Sequence, residues 1–150
     1  MQNYQDIGFS INITKDFQAV SNNTFLLSTE NAYAPNVSIK VENIANNVTL
    51  ENFVNNQLST LAGNVNNFKE VKRIQGKQNG RDAEIVAMEW GENETRNYQQ
   101  LVYIVDAYGS NKKIFVISCN DLRNNISTSL PLMNQLVRSF RVSSTLLEAA

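Results

Sequence analysis

The sequence contains no histidine and only one cysteine, and these absences exclude several kinds of site. Imidazole is the usual general base near neutral pH and a common zinc ligand, so its absence argues against most catalytic triads and zinc sites. A single cysteine, Cys119, excludes an intramolecular disulfide, which fits a reducing compartment. We expect Cys119 to be a small buried apolar residue at the end of a strand.

Long apolar runs and an excess of charge of either sign are also missing. The 13 basic and 14 acidic side chains are interspersed and give a formal net charge of −1, so no basic stripe exists that could neutralise a row of phosphates. No segment approaches the roughly 20 apolar residues that a membrane-spanning helix needs. We therefore expect no nucleic-acid partner and no direct membrane insertion.

Motifs for catalysis and cofactor binding are absent as well. Neither a phosphate-binding loop nor a glycine-rich dinucleotide motif occurs, and the scattered carboxylates form no evident acid–base pair. We expect that the protein is not an enzyme and binds no cofactor and no metal. The chain opens on polar residues rather than on a signal peptide, which predicts a cytoplasmic location; a signal removed from the sequence, and thus a periplasmic location, is the alternative.

What the sequence does contain is a two-residue apolar period, which is typical of half-buried strands. Strands are predicted at residues 9–13, 24–28, 37–41, 69–75, 82–90, 97–107 and 113–119. The last four follow one another as hairpins, which indicates an antiparallel meander. Between two of them, the pair Asn79-Gly80 is typical of a tight primed turn.

Two stretches follow helical spacing instead. Residues 50–65 place their apolar side chains on one face, and Thr49 precedes them as a plausible N-cap. A second helix is predicted near the C-terminus, with Ser129 as its cap and Pro131 in its first turn.

The order of these elements predicts the fold class. Strands come in runs with two interposed helices and without β-α-β alternation, so we predict an α+β fold: an antiparallel β-sheet of about six to seven strands with two main helices packed on it. A chain of 150 residues is the usual length of one domain. We assign residues 1–142 to a single domain and residues 143–150 to a flexible C-terminal tail.

Two glutamines lie where apolar side chains are expected. Gln57 falls inside the apolar arc of the first helix, between Phe53 and Leu61, and Gln100 shares a strand face with Val102. A buried primary amide without a hydrogen bond costs on the order of 1 to 3 kcal/mol. Each amide therefore either bonds to the protein's own groups or faces a partner that binds reversibly. For Gln100, a sheet with one solvated side is a further explanation.

Short segments along most of the chain carry a family resemblance: residues 9–13, 53–58, 67–68, 80–83, 88–90, 100–104, 114–118 and 139–141. Together they resemble the DcrB-like domain, a member of the Mog1/PsbP-like fold. Each segment is degenerate on its own, whereas their order covers the chain from Phe9 to Arg141. The resemblance implies the same α+β fold as the strand and helix patterns.

Within that superfamily the chain is most similar to the effector-associated (Eag) chaperones of type VI secretion, on account of Gln57 and Gln100. The resemblance implies a cytoplasmic homodimer that shields the N-terminal transmembrane helices of an effector with a PAAR domain and helps to load it on the secretion spike. It implies the spike protein VgrG as a further partner. It also implies an apolar client-binding groove, formed here by Gln57, Gln100, Phe25, Leu27, Ile39, Leu61 and Val65.

Two other interpretations stay open. Residues 14–17 depart from the segment that these chaperones often carry after the first strand, and residues 139–141 are equally typical of envelope lipoproteins. The chain would then be an envelope-associated DcrB-like or PsbP-like accessory, or a lipoprotein binding module, whose signal was removed. A small-molecule carrier is the third interpretation. An upstream lipobox cysteine would favour the envelope accessory, and a neighbouring gene for a PAAR protein would favour the chaperone.

Overall fold

The computed structural model describes residues 2–6, 8–21, 23–27, 35–108 and 111–143. Within these ranges the chain forms two helices and strands that belong to two sheets. In chain order the elements are β1 (Gln2–Asp6), β2 (Phe9–Ile13), β3 (Phe17–Ser21), β4 (Thr24–Leu27), β5 (Asn36–Ile44), α1 (Leu50–Asn64), β6 (Lys69–Gln78), β7 (Arg81–Trp90), β8 (Asn97–Tyr108), β9 (Asn111–Leu122), α2 (Ile126–Ser139) and β10 (Arg141–Val142).

The large sheet has seven strands in the order β3-β4-β5-β9-β8-β7-β6, and its neighbouring strands run antiparallel. The small sheet has three strands in the order β1-β2-β10. Strands β6 to β9 form the predicted meander. The first of its turns has φ of 52° at Asn79 and 81° at Gly80, which confirms the primed turn. The predicted α+β class is confirmed.

Three strands were not predicted, and each lacks a strong apolar alternation. Strand β1 consists of polar and mostly exposed residues, and β10 has only two residues. Strand β3 is short and lies at the edge of the large sheet. These strands form because a neighbouring strand offers backbone hydrogen bonds, a cause that local sequence does not show.

The first helix confirms its predicted cap, whereas the second begins earlier than predicted. The Thr49 Oγ1 accepts a hydrogen bond from the backbone N–H of Asn52 at 3.1 Å. Helix α2 begins at Ile126, so the prediction that Ser129 caps it is wrong. Ser129 is instead buried inside the helix, where its hydroxyl donates to Asp121 Oδ2 at 2.6 Å. A buried carboxylate needs donors, and this bond ties α2 to the end of β9.

Position 131 also differs from its prediction, whereas the predicted tail stays a prediction. Pro131 lies in the second turn of α2 rather than in the first. Of the predicted flexible tail, the structure describes only Ser143, whose backbone N–H donates to the Gly8 carbonyl at 2.6 Å. The rest of the tail, residues 144–150, lies outside the described residues.

Two apolar cores cover the two faces of the large sheet, because successive strand residues point to opposite sides. The α2 face carries Val102, Ile104, Phe115 and Ile117, packed against the small sheet and α2. The α1 face carries Val86, Leu101, Tyr103 and Val116, packed against α1. The sheet therefore separates the α1-face core from the α2-face core, and a side chain on one of its strands faces one core or the other.

Candidate functional site

The large sheet divides the seven residues that the Eag resemblance placed in one client-binding groove. Phe25, Leu27, Ile39 and Gln100 lie on the α2 face, whereas Gln57 and Leu61 belong to α1 and Val65 is its C-cap residue. This arrangement does not bring the seven residues together on one face of the sheet. Its physical reason is the strand alternation, which directs Gln100 away from α1 while its neighbours Leu101 and Tyr103 face the helix.

The three apolar residues from the early strands are core residues. Phe25, Leu27 and Ile39 are 0%, 7% and 4% exposed, and they pack in the same core as Phe9 and Val37. Their side chains are thus covered by the small sheet and α2 rather than presented to a partner. Ile39 also contributes to the lining of a surface cleft.

Gln100 is bonded within the protein. Its side chain is 8% exposed, and its Nε2 donates to Asn134 Oδ1 on α2 at 2.8 Å. The Cys119 thiol is a second partner: burial raises its pKa to about 12, while the hydrogen bond with Gln100 lowers it. Of the interpretations that the sequence left open for Gln100, the internal bond is the one that the structure supports. Cys119 is fully buried, as predicted.

This environment predicts a stability effect for Gln100→Ala. The variant removes the hydrogen-bond partner of the Asn134 Oδ1 and of the buried Cys119 thiol. We therefore expect the free energy of unfolding to fall by about 1 to 3 kcal/mol. Urea denaturation followed by circular dichroism measures the change. Gln135→Ala is the matched control, because Gln135 is exposed on the same helix α2. Equal stability of the two variants would show that the internal bond of Gln100 contributes nothing.

Gln57 has a different environment, because only part of its carboxamide is bonded. The residue is half-buried, and its Oε1 accepts a hydrogen bond from the Tyr103 hydroxyl at 3.0 Å. Tyr103 itself is fully buried. Its burial, and to a smaller extent the negative charge of Glu84, raises the pKa of its phenol well above its usual value. In the described part of the chain no group accepts a hydrogen bond from the Gln57 Nε2. That amide nitrogen is available to a partner.

The α1-face core ends in half-buried apolar side chains. We call this region the α1 margin; it consists of Ile44, Leu50, Phe53, Leu61, Phe68, Trp90 and Val105. Helix α1 fully buries only Val54 and Leu58, so its flanks contribute apolar atoms to the surface. The Phe53 ring meets the Tyr103 ring edge-to-face with centroids 6.1 Å apart. Within the margin, Phe53 and Leu61 lie four residues to either side of Gln57 on α1, so apolar side chains flank a carboxamide that is held in place by a buried phenol.

A buried ion pair lies on the same face of the sheet. Glu84 is 1% exposed, and its Oε1 accepts hydrogen bonds from Arg73 Nε at 2.8 Å and from Gln75 Nε2 at 3.3 Å. The hydrogen bond to Glu84 raises the pKa of the Arg73 guanidinium. Glu84 also lies directly opposite Tyr103 in the β7–β8 pairing. This pair attaches the edge strand β6 to the sheet beside the region that α1 covers.

Two kinds of site are not found in the part of the chain that the structure describes. No three acidic or cysteine side chains there come close enough to hold a metal ion. No helix there is long and apolar enough to cross a membrane.

Comparison with known proteins agrees with this architecture. The mycobacterial protein LpqN, whose structure is described as involved in cell envelope biogenesis of Mycobacterium tuberculosis, superposes with a TM-score of 0.73 at 10% identity, covering 92% of this chain and 86% of LpqN. The cyanobacterial PsbP protein (CyanoP) of Synechocystis superposes with a TM-score of 0.63 at 14% identity, covering 95% of this chain and 92% of CyanoP. The Ran-binding protein Mog1p of Saccharomyces cerevisiae superposes with a TM-score of 0.56 at 12% identity, and the match covers 93% of each chain.

At these identities the structural matches show the fold, which is the predicted Mog1/PsbP-like fold. No curated protein gives a significant match to the sequence. The sequence does match the DcrB family over residues 9–126, which is most of the chain. The chain belongs to the DcrB family.

Proposed function

We propose that this protein is a binding module that holds an apolar helical segment of a partner protein at the α1 margin. The observation that carries the proposal is the half-bonded carboxamide of Gln57: its oxygen is fixed by Tyr103, and its nitrogen is directed to no described group. A polar donor of fixed position within an apolar surface is the arrangement that recognises one helix rather than any apolar segment.

The energetics of such a contact follow from its two components. Burial of apolar area contributes about 25 cal/mol per Å2, so a few hundred Å2 supplies several kcal/mol before the entropy of association is subtracted. One hydrogen bond from the amide adds about 0.5 to 1.5 kcal/mol and requires an acceptor on the client at one position. Apolar contact therefore supplies most of the affinity, and Gln57 supplies the register.

The occupant that we propose is the N-terminal transmembrane segment of a type VI secretion effector that carries a PAAR domain. A membrane-spanning helix that waits for export exposes about 20 apolar residues and needs a cover in water. In this proposal the protein acts in the cytoplasm as a homodimer and helps to load the effector on the spike, with VgrG as a further partner. The sequence resemblance to Eag chaperones supports it through Gln57, whereas the internal bonds of Gln100 give no support.

An envelope-associated accessory protein is the second candidate function. The likeness to LpqN, described as involved in cell envelope biogenesis, favours it. In that case the α1 margin would receive a segment of an envelope protein complex, and the protein would be periplasmic. The surface is the same in both proposals, and the identity and compartment of the partner differ.

Co-expression with the N-terminal segment of a neighbouring effector tests the chaperone proposal. The key variant is Gln57→Glu, which keeps an oxygen for the Tyr103 hydroxyl and replaces the free amide nitrogen by an oxygen. We expect wild-type protein to keep the client soluble and to retain it in a pull-down. We expect Gln57→Glu to weaken retention by roughly tenfold or more, because it removes one hydrogen bond and places a charged carboxylate under the apolar client, with little change in thermal stability.

Two further variants control this experiment. Leu61→Ser removes apolar area from the margin and is expected to weaken retention as well, whereas Gln135→Glu changes an exposed amide on α2 and should have no effect. A client that is equally soluble without the protein would overturn the chaperone proposal. Normal retention by both Gln57→Glu and Leu61→Ser would show that the α1 margin is not the binding surface.

A further inference from the structure

The turn between β6 and β7 carries a dipeptide that the proposed function does not use. Asn79 is the only asparagine in the sequence that is followed directly by glycine. In an Asn-Gly pair the backbone nitrogen of the glycine is able to attack the carboxamide of the asparagine, because glycine has no side chain that hinders the approach. The pair that forms the turn is therefore also a pair with its own covalent chemistry.

The nitrogen that would attack is free in the structure. Asn79 and Gly80 are both exposed, at the end of the hairpin that the Gln78–Arg81 pair closes. In the described part of the chain no group accepts a hydrogen bond from the Gly80 backbone N–H. Apart from its two chain neighbours, no heavy atom lies within 4 Å of the position that a Cβ on Gly80 would occupy. Water therefore reaches this nitrogen, and no packed element obstructs the formation of a ring.

The carboxamide that would be attacked is held by one long hydrogen bond. Asn79 Nδ2 donates to the Phe140 carbonyl at 3.4 Å, whereas N–H···O bonds in proteins are usually about 2.9 to 3.0 Å long. The neighbouring Gln78 Nε2 makes a bond of ordinary length, 3.0 Å, to the Val137 carbonyl. The hairpin is thus attached to the end of α2 through Gln78, and the Asn79 side chain is restrained little.

We propose that Asn79 is a site of spontaneous deamidation. The Gly80 nitrogen gives up its proton to water and forms a bond with Asn79 Cγ, while the Cγ–Nδ2 bond breaks. The departing nitrogen takes up one proton from water and leaves as ammonia, so the protons balance. A second water then opens the cyclic imide at either of its two carbonyl carbons, which produces aspartate or isoaspartate at position 79. Water is the only co-reactant.

The modification changes the contact between the hairpin and the end of α2. It replaces the amide donor that faces the Phe140 carbonyl by a carboxylate, which adds one negative charge to the turn. Arg141 Nη1 donates to the same carbonyl at 2.8 Å, so the new charge arises beside a cation. Isoaspartate also adds one atom to the backbone of the turn, whose two central residues have φ of 52° and 81°. That product no longer fits the primed turn.

Ageing of the purified full chain under mildly alkaline conditions, followed by peptide mapping with mass spectrometry, tests this proposal. We expect residue 79 to gain the mass difference between an amide and an acid, in two products of equal mass that separate chromatographically. The rate should rise with pH, because the Gly80 nitrogen has to lose a proton before it attacks. Asn93 is the matched control within the same molecule: it is exposed and has φ of 53°, but Glu94 follows it. We expect Asn79 to react at least tenfold faster than Asn93.

The variant Gly80→Asn tests the role of the glycine. Asparagine tolerates a positive φ and adds a side chain next to the attacking nitrogen, so deamidation of Asn79 should slow at least tenfold. If this variant disturbs the turn, the comparison of Asn79 with Asn93 in the wild-type chain still decides the proposal. Reaction of Asn79 no faster than that of Asn93, or aspartate as the only product, overturns it. Reaction in urea without reaction in the folded protein overturns it too, because the turn would then prevent ring closure. None of these results depends on client binding at the α1 margin.

Discussion

Replacement of Arg73 by methionine is expected to lower the free energy of unfolding by about 3 kcal/mol. The variant leaves the Glu84 carboxylate, which is 1% exposed, without the guanidinium whose Nε lies 2.8 Å from its Oε1. Removal of one partner of a buried ion pair typically costs about 3 to 5 kcal/mol, because the remaining charge is uncompensated. The Arg73 side chain is itself 26% exposed, so we expect the lower end of this range.

A double-mutant cycle with Glu84→Gln separates the ion pair from general effects of the substitutions. The double variant Arg73→Met/Glu84→Gln removes the buried charge and should recover most of the lost stability, as measured by urea denaturation. Lys77→Met is the matched control, because the Lys77–Asp82 pair on the same two strands is 68% and 71% exposed and is worth less than about 1 kcal/mol. If Arg73→Met costs no more than Lys77→Met, burial of Glu84 does not decide the stability of this pair.

The location of the ion pair explains why its effect should extend beyond two residues. Strand β6 is at the edge of the large sheet, and of its ten residues only Arg73 and Gln78 are partly buried. Apolar burial therefore holds β6 weakly, and the Arg73–Glu84 pair supplies an anchor from β7. Hydrogen exchange of the β6 amides should accelerate in Arg73→Met more than that of the β8 amides.

Replacement of Phe115 by alanine is expected to cost about 4 kcal/mol, the largest effect of a single apolar substitution that we predict. Phe115 is fully buried on β9, and its ring packs against Phe9 at 6.2 Å and Phe140 at 5.5 Å between centroids. A side chain built on Gly8 would place its Cβ 3.3 Å from the Phe115 ring, so the β1–β2 turn also rests on this ring. The substitution opens a cavity where the two sheets and α2 meet.

Urea denaturation measures this effect, with Ile74→Ala as the control. Ile74 is 45% exposed on β6, and its truncation removes little buried area, so we expect a loss below about 1 kcal/mol. A cost for Phe115→Ala similar to that of Ile74→Ala would mean that the contact between the small sheet and the large sheet does not stabilise the domain.

Local sequence predicted the elements that carry their own periodic signal. The meander was predicted because each of its strands alternates over several residues and because Asn79-Gly80 specifies a tight turn. The helix α1 and its cap were predicted because Thr49 precedes an apolar stripe at helical spacing. Both signals depend only on neighbours in the chain. Strand β1 has no such signal, since its partner β2 decides its conformation.

The candidate sites depended on contacts between residues far apart in sequence. Gln57 and Gln100 looked alike as amides within apolar patterns, yet Asn134 bonds one of them and Tyr103 bonds only the oxygen of the other. Residue patterns showed that each amide needs partners, because burying an unbonded amide is costly wherever it lies.

The sequence by itself thus determined the fold class, the meander, the first helix and the absence of histidine-based chemistry, since composition and short-range periodicity are sufficient for these. Tertiary structure alone decided that the seven residues assigned to one groove by the Eag resemblance lie on both sides of one sheet. It also decided that Lys113 lies in one cleft with residues of β1, β2 and β5. The physical reason is that strand pairing brings together residues distant in the chain and assigns each side chain to one face.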